Sequence, residues 1–311
     1  MKIKKLVKRI LPKFLLNLLI NIYNTINKKI FYILINISPK IAIKFRYKIN
    51  TKKKLNLKHP KDLNEKLQWL NLYWQHPLKI KCTDKYQVRD YIKNCGCEEI
   101  LNQLYNIYND ASEINWEDLP NEFVLKTTNS CGTNIICDNK NNLNKDSTLK
   151  KLDEWLKIDY GKKYGELHYS KIKPRIICEK YLKTKKMELL NDYKVYCFNG
   201  YAKFLVFHSE RNINHKRVAL DLNWHKLKII NDWFTEAPTP PKPKSLQKII
   251  DYSEKLANNL PFVRIDFYIL KEKIIFGEMT FSPAGGIQDI FTTEAKKIMG
   301  SWIELPKKYI N

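Results

Sequence analysis

The feature that most constrains the fold is a hairpin pattern within residues 261–286. Two apolar stretches alternate with polar residues, as half-buried strands do, and a charged turn at 271–273 separates them. One predicted face carries the apolar side chains of Val263, Ile265, Phe267, Ile269, Ile275, Met279 and Phe281. The other predicted face carries the polar side chains of Arg264, Asp266, Glu278 and Thr280.

Two acids of the polar face are predicted to lie opposite each other. Asp266 and Glu278 are equidistant from Glu272, the centre of a three-residue turn. Like charges in that position destabilise a sheet, and a divalent cation would remove the repulsion, because Mg²⁺ takes carboxylate oxygens together with substrate phosphates. A solvated polar face is the alternative. The small residues at 282–286 let backbone approach a ligand closely, which favours a binding site.

Composition indicates a folded protein of a reducing cytoplasm. Of the 311 residues, 44% are hydrophobic, which is typical of a globular chain and not of a disordered one. The seven cysteines show no framework spacing, and Cys95 and Cys97 are separated by a single residue and lack a partner pair. Neither a disulfide framework nor a zinc site is therefore expected.

Positive charge is concentrated at the start of the chain. The formal net charge is +24, and residues 1–60 contain sixteen Lys and Arg but no acid. The apolar runs at 14–20 and 30–35 fall short of the ~20 residues that a spanning helix needs. We expect a basic amphipathic segment that lies on an anionic membrane surface, at its inner face. The alternatives are core helices with a lysine-rich outer face and a basic arm for nucleic acid, for which no recognised motif is present.

Helical and strand patterns are mixed along the chain, which predicts an α+β fold. The predicted helices cover residues 62–76, 85–93, 144–160 and 246–260. Besides the hairpin, the predicted strands cover residues 123–126, 134–137, 175–182, 193–198 and 201–208. Asn199 and Gly200 have the composition of a hairpin turn between the last two strands.

Several polar residues interrupt apolar strands, where they are costly without partners. Lys126 ends a strand beside the small-residue loop 127–133 and suits nucleotide phosphates, although the P-loop order is absent and a strand-end lysine can simply extend into water. Glu179 opens a connector that could contact an adenine edge, and Asp192 and Lys194 share one strand face. A further group of potential cations precedes an apolar strand: His215, Lys216 and Arg217.

The order of these motifs resembles the ATP-grasp superfamily, which includes D-alanine–D-alanine ligases and biotin carboxylase. More closely, it is similar to the TupA-like ATP-grasp proteins of cell-surface polysaccharide and teichuronopeptide synthesis. The resemblance covers about residues 57–299. It is carried by DLNEKLQWL, DKYQVRDYI, PRIICEKYL, DYKVYCFNG, HKR, PFVRIDFY and FGEMTFSPAGG.

The resemblance implies an ATP-grasp fold, in which two α+β subdomains clasp ATP, preceded here by basic N-terminal helices. Residues 1–56 would form the basic amphipathic segment and 57–120 a helical lead-in. Residues 121–182 would form the small subdomain with the phosphate loop, and 183–311 the larger antiparallel-sheet subdomain with the metal site.

The resemblance also implies roles for individual residues. Contacts to ATP would come from Lys85, Lys126, Asn129, Ser130, Gly132, Thr133, Glu179, Lys180, Leu182, Asp192 and Lys194. Ligands to Mg²⁺ would come from Asp266, Glu278 and Thr280. The catalytic cations would be Arg264, facing the acyl phosphate, and Lys216 and Arg217, at the γ-phosphate or the acceptor carboxylate. Thr280 stands where the family usually has Asn and offers a shorter ligand.

The function that this resemblance implies is an ATP- and Mg²⁺-dependent carboxylate–amine ligase in cell-surface polysaccharide, capsule or teichuronopeptide biosynthesis. Its partners would be a glycan or amino-acid carboxylate, an amine and an anionic membrane surface. No Ser-His or Cys-His arrangement is present, and acyl-phosphate chemistry needs none. The alternatives are a glycosyltransferase or glycan kinase of the same biosynthesis, and a non-catalytic membrane-associated scaffold.

Overall fold

The computed structural model describes residues 13–183, 190–210 and 214–309. The chain divides into two compact units, Met1–Leu55 and Asn56–Asn311. We describe each unit separately.

The first unit contains two helices that contact each other, α1 (Lys13–Ile37) and α2 (Pro39–Thr51). Ser38 has an extended backbone between them, and Pro39 starts α2 at the position where a missing N–H costs nothing. The Arg46 guanidinium lies 6.0 Å from the centre of the Phe31 ring. Within the described part of the chain, no helix combines the length and the apolar character that crossing a membrane would require.

Many apolar side chains of α1 are exposed to solvent. A row at helical spacing comprises Phe14, Leu18, Ile22 and Ile26, of which Phe14 is 76% exposed. The polar positions on this helix are Asn, Thr and Lys, and its first turn contains no acid. The first unit thus combines positive charge with exposed apolar surface.

The second unit is built from two antiparallel sheets and seven α-helices among its described residues. The helices are α3 (Leu63–Tyr73), α4 (Pro77–Thr83), α5 (Gln87–Asn94), α6 (Lys145–Leu156), α7 (Tyr160–Tyr164), α8 (Leu246–Ala257) and α9 (Thr293–Trp302). The strands are β1 (Leu104–Tyr108), β2 (Phe123–Thr127), β3 (Asn134–Cys137), β4 (Ile176–Lys180), β5 (Asp192–Phe198), β6 (Tyr201–Ser209), β7 (Lys216–Leu220), β8 (Lys226–Leu227), β9 (Phe262–Leu270) and β10 (Lys273–Thr280).

The smaller sheet has the strand order β1-β4-β2-β3. Alternation gives it two different faces. Phe123 and Leu125 of β2 point into a core that also contains Leu152 of α6. Lys126 lies on the other face, and its ammonium pairs with the Glu179 carboxylate of β4.

The predicted helical lead-in, residues 57–120, is not helical throughout. β1 lies within it and pairs with β4, so the small sheet recruits a strand from before residue 121. The short alternating stretch of β1 gave no strong strand signal. Pro77 likewise does not close a helix as predicted. It starts α4, because its fixed φ suits the first turn.

The larger sheet has the order β10-β9-β5-β6-β7-β8. Helix α8 contacts β5, β6 and β9 on one face, where the Cys197 thiol lies 3.9 Å from the Ser253 carbonyl oxygen. Residues paired directly across neighbouring strands share a face, so the pairs Asp192–His208 and Lys194–Asp266 belong together on the opposite face. That opposite face carries the predicted Mg²⁺ ligands Asp266, Glu278 and Thr280.

The hairpin of β9 and β10 differs in detail from the prediction. Its turn contains two residues, Lys271 and Glu272, both with left-handed backbone (φ 49° and 63°), as a two-residue hairpin turn requires. Lys273 therefore pairs with Leu270. A bulge between Phe276 and Glu278 then shifts the register by one residue, so that Glu278 lies opposite Asp266 as predicted.

The bulge changes the predicted face of one residue. Phe276 lies opposite Phe267 and Ile275 lies opposite Tyr268. Phe276, and not Ile275, therefore shares the apolar face with Phe267. The prediction for Ile275 was wrong because uninterrupted alternation was assumed through Gly277.

We predict that Gly300→Ala destabilises the second unit. A Cβ at this position of α9 would come 2.2 Å from the Lys61 carbonyl oxygen and 2.7 Å from the Asp62 Cα. Backbone cannot relax as a side chain does, so we expect a loss of about 2 kcal/mol or more in the free energy of unfolding. Lys297→Ala, an exposed change in the same helix, is the control. Equal urea midpoints for the two variants would contradict this packing.

Candidate active site

The candidate site begins with three charged residues in one row across three strands. Lys194 of β5 lies opposite Asp266 of β9, and Asp266 lies opposite Glu278 of β10. The bulge at Gly277 produces this alignment. A Cβ on Gly277 would come 3.0 Å from the Asp266 carbonyl oxygen and 3.2 Å from the Tyr268 ring, so the hairpin depends on glycine for its close approach here.

Arg264 connects the two acids. Its Nε donates to Asp266 Oδ1 at 2.6 Å, and its terminal nitrogen donates to Asp266 Oδ2 at 2.8 Å and to Glu278 Oε1 at 2.9 Å. Thr280 Oγ1 donates to Glu278 Oε1 at 2.9 Å. The Lys194 ammonium pairs with Asp266 from the other side. Cations therefore offset the repulsion that made the acid pair conspicuous in the sequence.

The charges of this group are held by one another. Burial alone raises the pKa of Asp266, but Arg264 and Lys194 outweigh it and hold that pKa below its ordinary value. Burial lowers the pKa of Arg264, and Asp266, Tyr196 and Glu278 together raise it above its ordinary value. At neutral pH the acid is ionised and the guanidinium is charged.

A loop of small residues lies beside this group. The hydroxyls of Thr127, Ser130 and Thr133 hydrogen-bond to one another at 2.7 Å. Lys85 Nζ donates to the Thr127 carbonyl oxygen at 3.0 Å and to that of Ser130. Gly132 is left-handed (φ +76°), and a Cβ there would meet open space. Lys85 and the three hydroxyls thus hold the loop in place, and the side of the loop at Gly132 remains accessible to a ligand.

The predicted loop residues divide into two groups. Asn129, Ser130 and Thr133 are buried, and Asn129 Nδ2 donates to the Ile158 carbonyl oxygen at 3.2 Å. Their buried side chains stabilise the conformation of the loop through these hydrogen bonds. Gly132, together with the unpredicted Cys131, lines the open side.

Glu179 is held by two cations. Lys126 Nζ lies 2.7 Å from Glu179 Oε2, and Arg89 lies 3.2 Å from Glu179 Oε1. Arg89 also donates to the Asn102 carbonyl oxygen at 2.7 Å. Sequence reasoning missed Arg89, although it lies in the same helical motif as Lys85, one turn further on. The side chain of Lys180, by contrast, is exposed.

A cleft of about 280 Å³ brings the two sheets' polar residues together. Its predicted lining residues are Lys85, Lys126, Gly132, Glu179, Leu182, Asp192, Lys194, Asp266 and Glu278. Its unpredicted lining residues include Arg89, Asn102, Cys131 and Tyr268. Arg264 and Thr280 do not line the cleft themselves but hydrogen-bond to the acids that do.

Lys216 and Arg217 occupy different faces of β7. Lys216 pairs with Glu210 at 2.7 Å and lies outside the cleft. Arg217 is aligned with His208 and, through it, with Asp192. Arg217 lies 2.9 Å from His215 Nδ1, whose Nε2 is 2.8 Å from His208 Nδ1. The structure therefore brings only Arg217 of this pair to the polar face.

The loop after the hairpin is held by residues that the sequence did not single out. Ser282 Oγ donates to Glu166 Oε2 at 2.6 Å, and Gln68 Nε2 donates to the Gly285 carbonyl oxygen at 2.8 Å. Glu166 also acts on the buried Lys79. Burial lowers the pKa of Lys79 to about 7, although the negative charge of Glu166 by itself would raise it. No local signal could have found these contacts, because their partners are far apart in the chain.

The model of the TupA-like ATP-grasp family matches residues 65–304. The chain belongs to this family, which confirms the resemblance seen in the motifs and gives the second unit the ATP-grasp fold. ATP and Mg²⁺ are the standard cofactors of that fold. No curated protein matches the sequence.

Two of the solved structures that resemble this one are described as ligases, and both have low sequence identity to it. D-alanine–D-alanine ligase from Bacillus anthracis, complexed with ATP, is 14% identical with a TM-score of 0.45 over 71% of this chain and 61% of that chain. L-amino acid ligase from Bacillus licheniformis is 12% identical with a TM-score of 0.44 over 80% and 58%. The chain thus spans about three fifths of the length of these two ligases.

The donor set in the cleft fits Mg²⁺ and a nucleotide. Among the described residues, no group of three or more His, Cys, Asp or Glu side chains is arranged to hold a metal. Asp266 and Glu278 offer two carboxylates, which suits Mg²⁺ because it is usually bound through one or two carboxylates plus substrate phosphates. Lys85 and Lys126 line the same cleft and supply positive charge for those phosphates.

We predict that Arg264→Gln makes the protein less stable at neutral pH and that the difference shrinks as pH falls. The folded-state pKa of Asp266 is below its unfolded value of about 3.9, so its stabilising contribution is present above that value and is lost as pH falls through the folded pKa. Without Arg264, burial would raise that pKa. Thermal unfolding between pH 7 and 3 measures the effect.

Arg217→Gln is the control for that series, because Arg217 lies on the same face but makes no ion pair within 4 Å with a described residue. Parallel pH profiles for the two variants would contradict the role of Arg264 in keeping Asp266 ionised.

Proposed function

We propose that the protein is an ATP- and Mg²⁺-dependent carboxylate–amine ligase. The observation that carries the proposal is the alignment of Asp266 with Glu278 in a cleft that Lys85 and Lys126 also line. Family membership supports it, as does the similarity to structures described as ligases.

The reaction has two steps. A substrate carboxylate oxygen attacks the γ-phosphorus of ATP, which forms an acyl phosphate and releases ADP. An amine nitrogen then attacks the acyl carbon, the bond to phosphate breaks, and the nitrogen loses a proton to give an amide and inorganic phosphate. Positioning and charge neutralisation suffice for both steps, so no side-chain nucleophile is needed.

Each part of the cleft has a role in this proposal. Lys85, Lys126 and the loop that contains Gly132 bind the phosphates. Glu179 and Leu182 hold the adenine, and Asp192 and Lys194 lie toward the ribose and phosphates. Asp266 and Glu278, with Thr280 beside them, hold Mg²⁺, which neutralises phosphate charge when bound.

In this proposal Arg264 exchanges its carboxylate partners for the phosphoryl group in transfer. It now bridges the carboxylates of Asp266 and Glu278. With a cation bound, these carboxylates would no longer depend on Arg264 for positive charge, and its guanidinium would be available to the phosphoryl group in transfer. Lys126 also exchanges partners in this proposal. Its ammonium now pairs with the Glu179 carboxylate, and a phosphate of the nucleotide would compete for it.

We predict that Asp266→Asn combined with Glu278→Gln weakens Mg²⁺-dependent ATP binding at least tenfold. The variant removes both metal-binding charges while keeping the size of the side chains. Calorimetric titration with ATP and Mg²⁺ measures the change, and Glu272→Gln, in the exposed turn of the same hairpin, is the matched control.

Two results of that titration would reject the ligase. One is unchanged binding in the double variant, which would remove the hairpin from the metal site. The other is the absence of ATP binding together with clear binding of a nucleotide-sugar, which would favour a glycosyltransferase instead.

The substrates that we propose are surface-glycan precursors, in capsule, polysaccharide or teichuronopeptide biosynthesis. The carboxylate belongs to a uronic acid or amino acid of the precursor. The basic first unit would hold the enzyme at the inner face of an anionic membrane, where lipid-linked glycans are built. Its exposed apolar row on α1 and its excess of Lys and Arg support this location.

We predict that Leu18→Asn, Ile22→Asn and Ile26→Asn together reduce sedimentation with vesicles of anionic phospholipid at least fivefold. These side chains are exposed and would enter the acyl region, where an amide is costly. Leu205→Val, a buried change on β6, controls for general effects of mutation. Equal sedimentation of the triple variant and the native chain would contradict membrane docking through α1.

A further inference from the structure

Arg217 differs from the other described arginines of residues 56–311. Arg89 pairs with Glu179, Arg175 lies 3.8 Å from Asp84, and Arg264 pairs with two acids. Arg217 makes no ion pair within 4 Å among the described residues of the chain; Asp289 attracts it only from a greater distance. Its guanidinium instead lies 4.6 Å from the centre of the Phe234 ring and 2.9 Å from His215 Nδ1, and its other N–H groups can donate to an anion.

An exposed indole lies beside this arginine. Trp233 is 71% exposed, the largest exposed fraction among the large hydrophobic residues described in the second unit. Its ring centre is 6.2 Å from that of Phe234. Arg217, Phe234 and Trp233 thus form a continuous surface, which we call the Trp233 shelf.

The backbone under the shelf is firmly held. Phe234 N donates to the Asn231 carbonyl oxygen at 3.1 Å, which closes a tight turn around Trp233. Asn231 Nδ2 donates to the Phe291 carbonyl oxygen at 2.9 Å, and Arg217 N donates to that of Thr235 at 3.1 Å. A backbone that is already held in place limits the ordering entropy lost when Trp233 binds a ligand.

Arg217 of the shelf lies on the same face of the sheet as the acids of the candidate site. Arg217 is aligned with His208 and Asp192 on that face. Three strand spacings separate β7 from β9 in the sheet, which places Arg217 roughly 14 Å from the Asp266 strand. That separation between the strands exceeds the length of one sugar unit.

We infer that the Trp233 shelf binds an acidic sugar unit of an oligosaccharide acceptor, one that carries a carboxylate on a pyranose ring. The apolar face of the pyranose would stack on the indole, and Arg217 would pair with the carboxylate in the two-point geometry that guanidinium favours. This inference rests on the proposed function and chooses between its two acceptors, a uronic acid and an amino acid. An amino acid would reach either the Trp233 shelf or the acids of the candidate site. A chain of uronic acids would occupy both.

Binding of trigalacturonate to the full chain tests the inference. The neutral trisaccharide maltotriose is the comparison, and calorimetry is the measurement. We expect trigalacturonate to bind at least tenfold more tightly than maltotriose. Trp233→Ala should weaken trigalacturonate binding at least tenfold, and Trp233→Phe should retain part of it. Arg217→Gln should remove most of the preference for the acidic sugar.

Tyr201→Ala is the matched control. Tyr201 is an aromatic residue of similar exposure, 64%, but it lies at the opposite end of β6 from His208. Absence of trigalacturonate binding to the native chain would overturn the inference, as would equal binding by the Trp233→Ala and Tyr201→Ala variants. So would equal affinities of the native chain for the acidic and the neutral trisaccharide.

Binding of ATP with Mg²⁺, measured on the same samples, keeps the two proposals separate. The Trp233→Ala variant should bind the nucleotide normally, because Trp233 lies outside the cleft that the nucleotide would occupy. Trigalacturonate binding without any ATP binding would reject the ligase and uphold the shelf. ATP binding without trigalacturonate binding would reject the shelf alone.

Discussion

Two carboxylates face each other across the β9–β10 hairpin, and Arg264 donates hydrogen bonds to both. The arrangement depends on a single extra residue, because the bulge at Gly277 moves Glu278 opposite Asp266. Without it, alternation would turn Glu278 to the other face of the sheet. The bulge therefore decides whether two acids face each other across the hairpin or only one acid lies on this face. Bulges are often found beside active sites for this reason.

The rest of the second unit surrounds this pair with positive charge. Lys194 comes from the same sheet, Lys126 comes from the smaller sheet, and Lys85 reaches the loop between β2 and β3. These cations now pair with carboxylates or backbone carbonyls, so the cleft is neutralised internally. A metal nucleotide would bring charges of both signs and could replace several of these partners at once. Exchange of ionic partners is thus the physical basis of the proposed binding.

Sequence reasoning identified Lys126, Asp266 and Glu278 because they are polar residues within apolar strands, whereas Lys85 was named only through the family resemblance. It also placed Glu278 opposite Asp266, although two unpredicted features, a shorter turn and a bulge, combined to give that register. The prediction that Ile275 lies on the apolar face was wrong because it did not include the bulge. Arg89 and the Trp233 shelf could not be predicted, since both depend on contacts between distant segments. The separation of Lys216 from the site follows from strand alternation and could have been anticipated. The roles of the individual residues remain predictions.

The most direct test of the central claim is a crystal structure with a non-hydrolysable ATP analogue and Mn²⁺, a redox-stable substitute for Mg²⁺ that scatters anomalously. We expect an anomalous peak about 2.1 Å from oxygens of both Asp266 and Glu278, with Arg264 displaced from at least one of the two carboxylates. Nucleotide in the cleft with the metal bound elsewhere, and with the bridge from Arg264 to both acids intact, would contradict the account.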